Sequence, residues 1–91
     1  MQRIQSVLAS FPEIEEVILY GAKGNYKNSS DIDLTLKGKQ LTLFILGKVD
    51  EQLDDLLLPY TFDLSIYHQI NSPELLHHMN RVGKLFFSKK I

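Results

Sequence analysis

Apolar residues recur at helical spacing in three parts of the chain. Residues 2–10 form the first such stretch, and 41–58 form a longer, proline-free amphipathic stretch that predicts a helix ended by Pro59. A shorter helix is predicted near the end, with Ser72 as its N-cap and Gly83 just past its last turn. The chain is therefore expected to contain one long helix between two short ones.

The segments between these helices have the patterns of strands. The wholly apolar run at 17–20 indicates a central strand that is covered on both faces, whereas 31–37 and 61–68 alternate as half-buried strands do. Glycine, asparagine and serine predict a loop over 21–30, and 84–88 fits a last short strand or a packed tail. The expected order α-β-β-α-β-α predicts an α+β (α/β) fold, with a small mixed β-sheet packed with helices.

Size and composition limit the class of protein. The 91 residues fit one domain, residues 1–91, and the apolar share of 44% and charged share of 23% are typical of a globular protein. A net charge of −1 gives no direct evidence of nucleic-acid binding, and the absence of cysteine excludes disulfides and thiolate metal sites. No signal peptide or membrane span is recognisable, so we expect a cytoplasmic protein that does not enter a membrane.

Three aspartates are the first candidates for chemistry. Asp31 and Asp33 are two residues apart on a predicted strand, so their carboxylates point the same way and repel each other. A cation such as Mg²⁺ between them would remove that repulsion. Asp63 has the equivalent position on another alternating strand, and the three carboxylates would converge if the strands are neighbours. The alternative is that all three are solvent-facing acids of an amphipathic sheet.

A glycine-containing loop precedes the aspartates and is accompanied by positive charge. Four of the ten basic residues fall in this loop, in the strand that follows it or just after that strand: Lys23, Lys27, Lys37 and Lys39. A polyphosphate brought to a metal at the aspartates would meet this charge favourably. The lysines are equally compatible with an ordinary solvated loop.

The stretch VILYG, followed by GNYKNSSDIDLTL and later by FDLSI, resembles the minimal nucleotidyltransferases (MNT), small members of the DNA polymerase β-like superfamily. The resemblance implies a nucleotidyltransferase-like fold in which Asp31, Asp33 and Asp63 are catalytic and bind Mg²⁺ (or Mn²⁺), with Asp63 as metal ligand or base. It also implies that ATP or another NTP is held by loop residues: Gly21, Ala22, Lys23, Gly24 and Ser30. The family typically reads Gly-Ser-Arg-Ala-x-Gly at this loop, so the chain is shorter there by Ser-Arg.

Two functions follow from this resemblance. One is transfer of a nucleoside monophosphate, AMP from ATP, to a hydroxyl of a partner protein, as the antitoxin of a HEPN/MNT toxin–antitoxin pair. The alternative is a catalytically impaired module of the same fold that neutralises a HEPN-type helical partner by contact. Apolar residues in LDDLLLPY and KLFF exceed what one small sheet can cover, so a homo- or hetero-oligomer is expected.

Overall fold

The computed structural model describes residues 2–23, 30–58 and 60–89 of the chain. Within these ranges the backbone alone is described at six positions: Gln2, Ala22, Lys23, Ser30, Asp31 and Tyr60. No helix in the described ranges is long and apolar enough to cross a membrane. The elements, in chain order, are α1 (Gln2–Ala9), β1 (Glu16–Lys23), β2 (Ser30–Lys37), α2 (Leu43–Asp54), β3 (Tyr60–Ile66), a 3-10 turn (Tyr67–Gln69), α3 (Pro73–Val82) and β4 (Lys84–Ser88).

The four strands form one mixed sheet in the order β3-β2-β1-β4. β1 pairs antiparallel with both β2 and β4, whereas β2 and β3 are parallel and are connected through α2. A parallel pair needs such a crossover, because the chain must return to the starting end of the sheet. The predicted α+β architecture is therefore confirmed, with β1 in a central position and residues 84–88 as a strand.

The main core lies on one face of the sheet, against α1 and α2. Alternate residues of β2 point into it, and Leu34 and Leu36 are completely buried. Helix α1 contributes Ile4 and Leu8, and α2 contributes Val49 and Leu53 among other buried residues. Burial of this apolar surface is the dominant stabilising contribution to such a fold.

The predicted caps of the helices are present, although α2 is shorter than the sequence suggested. The side chain of Ser72 accepts a hydrogen bond from the Leu75 N–H at 3.2 Å, and Gly83 is the C-cap of α3. Helix α2 ends at Asp54 rather than at 58, and Leu57 follows it with a positive φ of 55°. Helices usually end at or before the residue that precedes a proline, so Pro59 accounts for the end of α2 before residue 58.

The expected loop over 21–30 is wrong at its two ends. β1 continues past Gly21 to Lys23, and β2 already begins at Ser30. The register pairs Gly21 with Asp33 and Lys23 with Asp31, so the strands extend the antiparallel ladder into the expected loop. Cross-strand pairing outweighs the low strand propensity of glycine here. Residues 24–29, including Gly24, lie outside the described residues.

Candidate functional site

Two of the three predicted aspartates lie side by side. Asp33 of β2 and Asp63 of β3 are directly opposite each other on neighbouring parallel strands. Such strands are about 4.8 Å apart, and paired residues project their side chains from the same face. Asp63 is exposed and Asp33 is half-buried. Asp31 lies two residues before Asp33 on β2, opposite Thr61, and its side chain is outside the described part.

This pair fits the requirements of a divalent cation. Mg²⁺ binds oxygen ligands at about 2.1 Å and accepts one or two protein carboxylates together with phosphate oxygens and water. Carboxylates projecting from adjacent strands can reach one ion, and the exposed position of Asp63 leaves room for further ligands. Asp31, Asp33 and Asp63 are the residues that would hold the metal.

Gly21 lies directly beside the Asp33 carboxylate. A Cβ atom built on Gly21 would overlap Asp33 Oδ2, so any side chain there would push the carboxylate from its place. The absence of a side chain in the middle of a strand therefore has a local cause, which is the close approach of Asp33. The predicted binding of phosphate by Gly21 stays a prediction, whereas the structure shows that its lack of a side chain makes room for the Asp33 carboxylate.

Tyr20 reaches the same face of the sheet because of a bulge. The β1–β2 register is interrupted between Leu19 and Gly21, which leaves Tyr20 as the extra residue opposite Asp33. Burial raises the pKa of the Tyr20 hydroxyl, the neighbouring Ser65 hydroxyl lowers it, and the charges of Asp33 and Asp63 raise it further. The apolar run at 17–20 predicted only a covered strand position for Tyr20; the signal that could have placed it beside the aspartates is the glycine that follows it within the strand.

Two hydroxyl groups lie below the aspartates along the same face. Thr35 of β2 is paired with Ser65 of β3, and both lie two residues after the aspartate of their own strand. Thr35 is completely buried, and neither Thr35 Oγ1 nor Ser65 Oγ has a hydrogen-bonding partner at ordinary distance among the described residues. Ser65 is nevertheless close enough to the Tyr20 hydroxyl to lower its pKa. Polar side chains therefore continue from the aspartates into the protein.

The expected cluster of lysines around the aspartates is only partly consistent with the structure. Lys37 is the last residue of β2 and Lys39 lies just past it, and both line a cavity with Tyr67 and His68 at this other end of the strand. Lys37 Nζ is 4.5 Å from the centre of the Tyr67 ring. The prediction that these two lysines would attract a phosphate to the aspartates is wrong, because a strand of this length separates opposite ends of the sheet.

The remaining nucleotide-binding predictions depend mainly on backbone positions. Ala22 and Lys23 continue β1 beyond Gly21, and Ser30 begins β2 opposite Tyr60, all near the end of the sheet that carries Asp31. Their side chains are outside the described part, and Gly24 is outside it altogether. Their proposed contacts with a nucleotide stay predictions.

Comparison with known proteins agrees with this arrangement. The family model for polymerase β-type nucleotidyltransferases ("Polymerase beta, Nucleotidyltransferase") matches residues 2–91. The chain belongs to this nucleotidyltransferase family. No match was found among curated proteins.

Two solved structures of a toxin–antitoxin complex, MntA-HpeT, show the same nucleotidyltransferase fold. One has a TM-score of 0.75 at 18% identity, covers 98% of this chain and 73% of the other, and carries two aspartate-to-glutamate substitutions two positions apart. The other, a tyrosine-to-alanine mutant, has a TM-score of 0.70 at 20% identity and covers 98% and 72%. At such low identities the likeness establishes the fold.

Proposed function

We propose that this nucleotidyltransferase domain transfers AMP from ATP to a hydroxyl of a partner protein in a reaction that depends on Mg²⁺ or Mn²⁺. The observation that carries the proposal is the pairing of Asp33 with Asp63 on adjacent parallel strands. Asp31 precedes Asp33 by two residues, as expected for a third ligand. The partner is proposed to be a helical toxin of the HEPN type, since the structural neighbours are toxin–antitoxin complexes.

Each residue of the site has a separate proposed role in this reaction. Asp31 and Asp33 would hold the metal, which would neutralise the triphosphate charge when bound. Asp63 is exposed on a strand at the edge of the sheet, where it can accept the proton of the incoming hydroxyl or complete the metal site. The hydroxyl oxygen would bond to the α-phosphorus as pyrophosphate departs. Gly21 allows the Asp33 carboxylate to occupy its position.

A second candidate function is neutralisation of the toxin by contact without transfer. The observation that favours it is the pairing of residues 21–23 with residues 31–33, which commits the start of the expected phosphate-binding loop to a β-ladder. A ladder leaves fewer backbone N–H groups to curve around a phosphate than a loop does. The two candidates share the same fold and the same partner, and they differ in whether AMP is transferred.

Transfer of radiolabel from α-labelled ATP to a co-purified helical partner separates these candidates. We expect the parent to label the partner only with Mg²⁺ or Mn²⁺, and Asp33→Asn to lower transfer by at least about a hundredfold, the equivalent of roughly 2.7 kcal/mol. Asp54→Asn, an exposed acid on α2, is the matched control and should transfer normally. Partner binding without labelling would support the contact-only function. Normal binding of Mg·ATP and normal transfer by Asp33→Asn would show that the site is wrongly assigned.

A further inference from the structure

A cleft lies between the first half of α2 and the middle of β3. Its volume is about 350 Å³, within the range of about 300–1,000 Å³ that is usual for ligand pockets. We call it the edge cleft; its lining residues are Leu43, Leu46, Gly47, Asp50, Phe62, Asp63 and Leu64. Asp63 is therefore common to the edge cleft and to the pair of aspartates described above.

The edge cleft is open to solvent, and its lining combines apolar side chains with polar surface. Leu43 is 70% exposed at its rim, and the adjacent Phe44 is 69% exposed. Gly47 has no atom within 4 Å of the position that a Cβ would occupy, so the helix presents a gap in its side chains at this point. Glycine weakens the interior of a helix, and here neither a positive φ nor a close approach requires it. An apolar side chain from another molecule would fill this gap.

The charges of the edge cleft are negative. Asp50 and Asp63 are both exposed and both line it, and the Asp63 side chain projects from the opposite face of the sheet, beside Asp33. Lys48, the nearest cation in the sequence of α2, places its Nζ 5.0 Å from the centre of the Phe44 ring instead of lining the cleft. An apolar group with lysine or arginine beside it is therefore the complementary ligand.

The outer edge of the sheet makes a second copy of this chain a poor occupant. Among the described strands β3 has a single neighbour, β2, so it is an edge strand of the sheet. Two copies of Tyr60–Ile66 paired antiparallel over their full length would place Asp63 opposite Asp63, because that residue is the midpoint of the strand. Like charges directly opposite on paired strands are destabilising. A segment that carries cations would instead pair favourably.

We propose that the edge cleft binds an apolar side chain from an extended, lysine- or arginine-bearing segment of the protein that supplies the acceptor hydroxyl. The segment lies along β3 with its side chains alternating between the two faces of the sheet: an apolar side chain enters the gap at Gly47 near Asp50, and a cation on the other face lies beside Asp63. This docking brings the acceptor protein next to the proposed base. The identification of the occupant as the acceptor rests on the proposed function, whereas the preference for an apolar and basic segment rests on the cleft itself.

Two fluorescent peptides of equal length test the preference of the cleft, without metal or nucleotide. One alternates leucine with lysine and the other alternates leucine with glutamate. We expect the lysine peptide to bind the parent at least about tenfold more tightly, and the amide resonances of Leu46, Gly47 and Leu64 to shift on binding. Equal affinities, or shifts confined to other parts of the protein, would overturn the proposal.

Substitutions in the cleft test its location. Gly47→Leu fills the gap, and Asp50→Lys reverses a charge; each should weaken the lysine peptide by about tenfold. Glu51→Lys is the matched control, since Glu51 is exposed on the same helix but does not line the cleft, and it should change affinity by less than about threefold. An unchanged or raised melting temperature of Gly47→Leu will show that it folds. Unaltered peptide affinity in Gly47→Leu would overturn the proposal.

A further measurement separates failure of this inference from failure of the proposed function. Gly47→Leu should bind Mg·ATP as the parent does but label the partner more slowly, with a raised KM for the partner. Weaker binding of Mg·ATP by Gly47→Leu would mean that the cleft holds the nucleotide, which overturns the inference and leaves the proposed transfer in place. A parent protein that does not label the partner would instead refute the proposed function and leave the peptide results unaffected.

Discussion

The two faces of β2 show how differently one strand can be used. On the face towards α1 and α2, Leu34 and Leu36 are completely buried in apolar surroundings. On the other face, Asp33 lies beside Asp63, and Thr35 is buried with a hydroxyl that has no hydrogen-bonding partner among the described residues. The first face stabilises the fold, whereas paired charges and an unsatisfied hydroxyl oppose it. Stability and chemistry are thus divided between alternate residues of one strand.

Helix α3 covers only part of the second face. Met79 of α3 is only 2% exposed, and the Tyr67 hydroxyl donates a hydrogen bond to Asn80 Oδ1 of the same helix at 3.3 Å. Gly83, at the end of α3, packs closely on Ile18 of β1. These contacts protect the part of the face near Thr35 and leave Asp63 exposed at the edge strand. The partial cover explains how a site for charged ligands can exist next to a buried interior.

The largest expected effect is the cost of removing a side chain from the core face of β2, compared with an exposed position on α2. Leu34→Ala should lower the free energy of unfolding by about 3–5 kcal/mol, because it leaves a cavity at a completely buried position. Leu43→Ala, at a residue that is 70% exposed, should change it by less than about 0.5 kcal/mol. Urea denaturation measures both. A loss of similar size in the two variants would contradict the assignment of the core face.

The sequence predicts the core face well because apolar periodicity is a direct consequence of burial. The alternation in residues 31–37, and the helical spacing in 2–10 and 41–58, identify the elements and the side that each buries. The N-cap at Ser72 is also predicted, since it depends on neighbouring residues alone. The parallel pairing that sets Asp33 beside Asp63 could be stated only as a condition, because strand order depends on contacts distant in sequence.

The features that the sequence did not reveal depend on register. The bulge that brings Tyr20 to the acid face follows from pairing on both sides of β1. The extension of β1 through Lys23 was missed because glycine usually indicates a turn. The edge cleft was also missed, because Gly47 changes neither the helical spacing of the apolar residues in α2 nor the extent of the helix. Its effect appears only when β3 is placed next to the helix.

Two threonine-to-valine substitutions compare a buried hydroxyl that has no hydrogen-bonding partner among the described residues with a hydroxyl that caps a helix. Thr35→Val should raise the free energy of unfolding by about 1 kcal/mol, because it removes a buried hydroxyl without a partner while keeping the shape. Thr42→Val should lower it by about 1 kcal/mol, because the Thr42 side chain caps α2 by accepting a bond from the Ile45 N–H. Calorimetry of both variants measures the difference in sign. Destabilisation by Thr35→Val would show that its hydroxyl is satisfied.

A smaller effect is expected from the paired charges. Asp33→Asn keeps the size and the acceptor oxygen of the side chain but removes its negative charge beside Asp63. Like charges directly opposite on paired strands are destabilising, so stability at neutral pH without divalent metal should rise, by about the 0.2–1 kcal/mol that is usual for a cross-strand side-chain interaction. Added Mg²⁺ should stabilise the parent and leave the variant unchanged. A variant that is clearly less stable than the metal-free parent would mean that charge at this position supports the fold.

The smallest expected effect concerns Tyr20 and appears only in alkali. The pKa of its hydroxyl is raised in the folded protein, chiefly by burial and then by the charges of Asp33 and Asp63, although Ser65 lowers it. The folded state therefore holds this proton more tightly than the unfolded state, whose pKa is about 10. The resulting contribution to stability is complete below about pH 10 and is lost as the pH rises towards the folded pKa. Melting temperatures between pH 8 and 11 should consequently fall more steeply for the parent than for Tyr20→Phe. Equal slopes in the two proteins would show that folding does not raise the pKa of the Tyr20 hydroxyl, contrary to its burial.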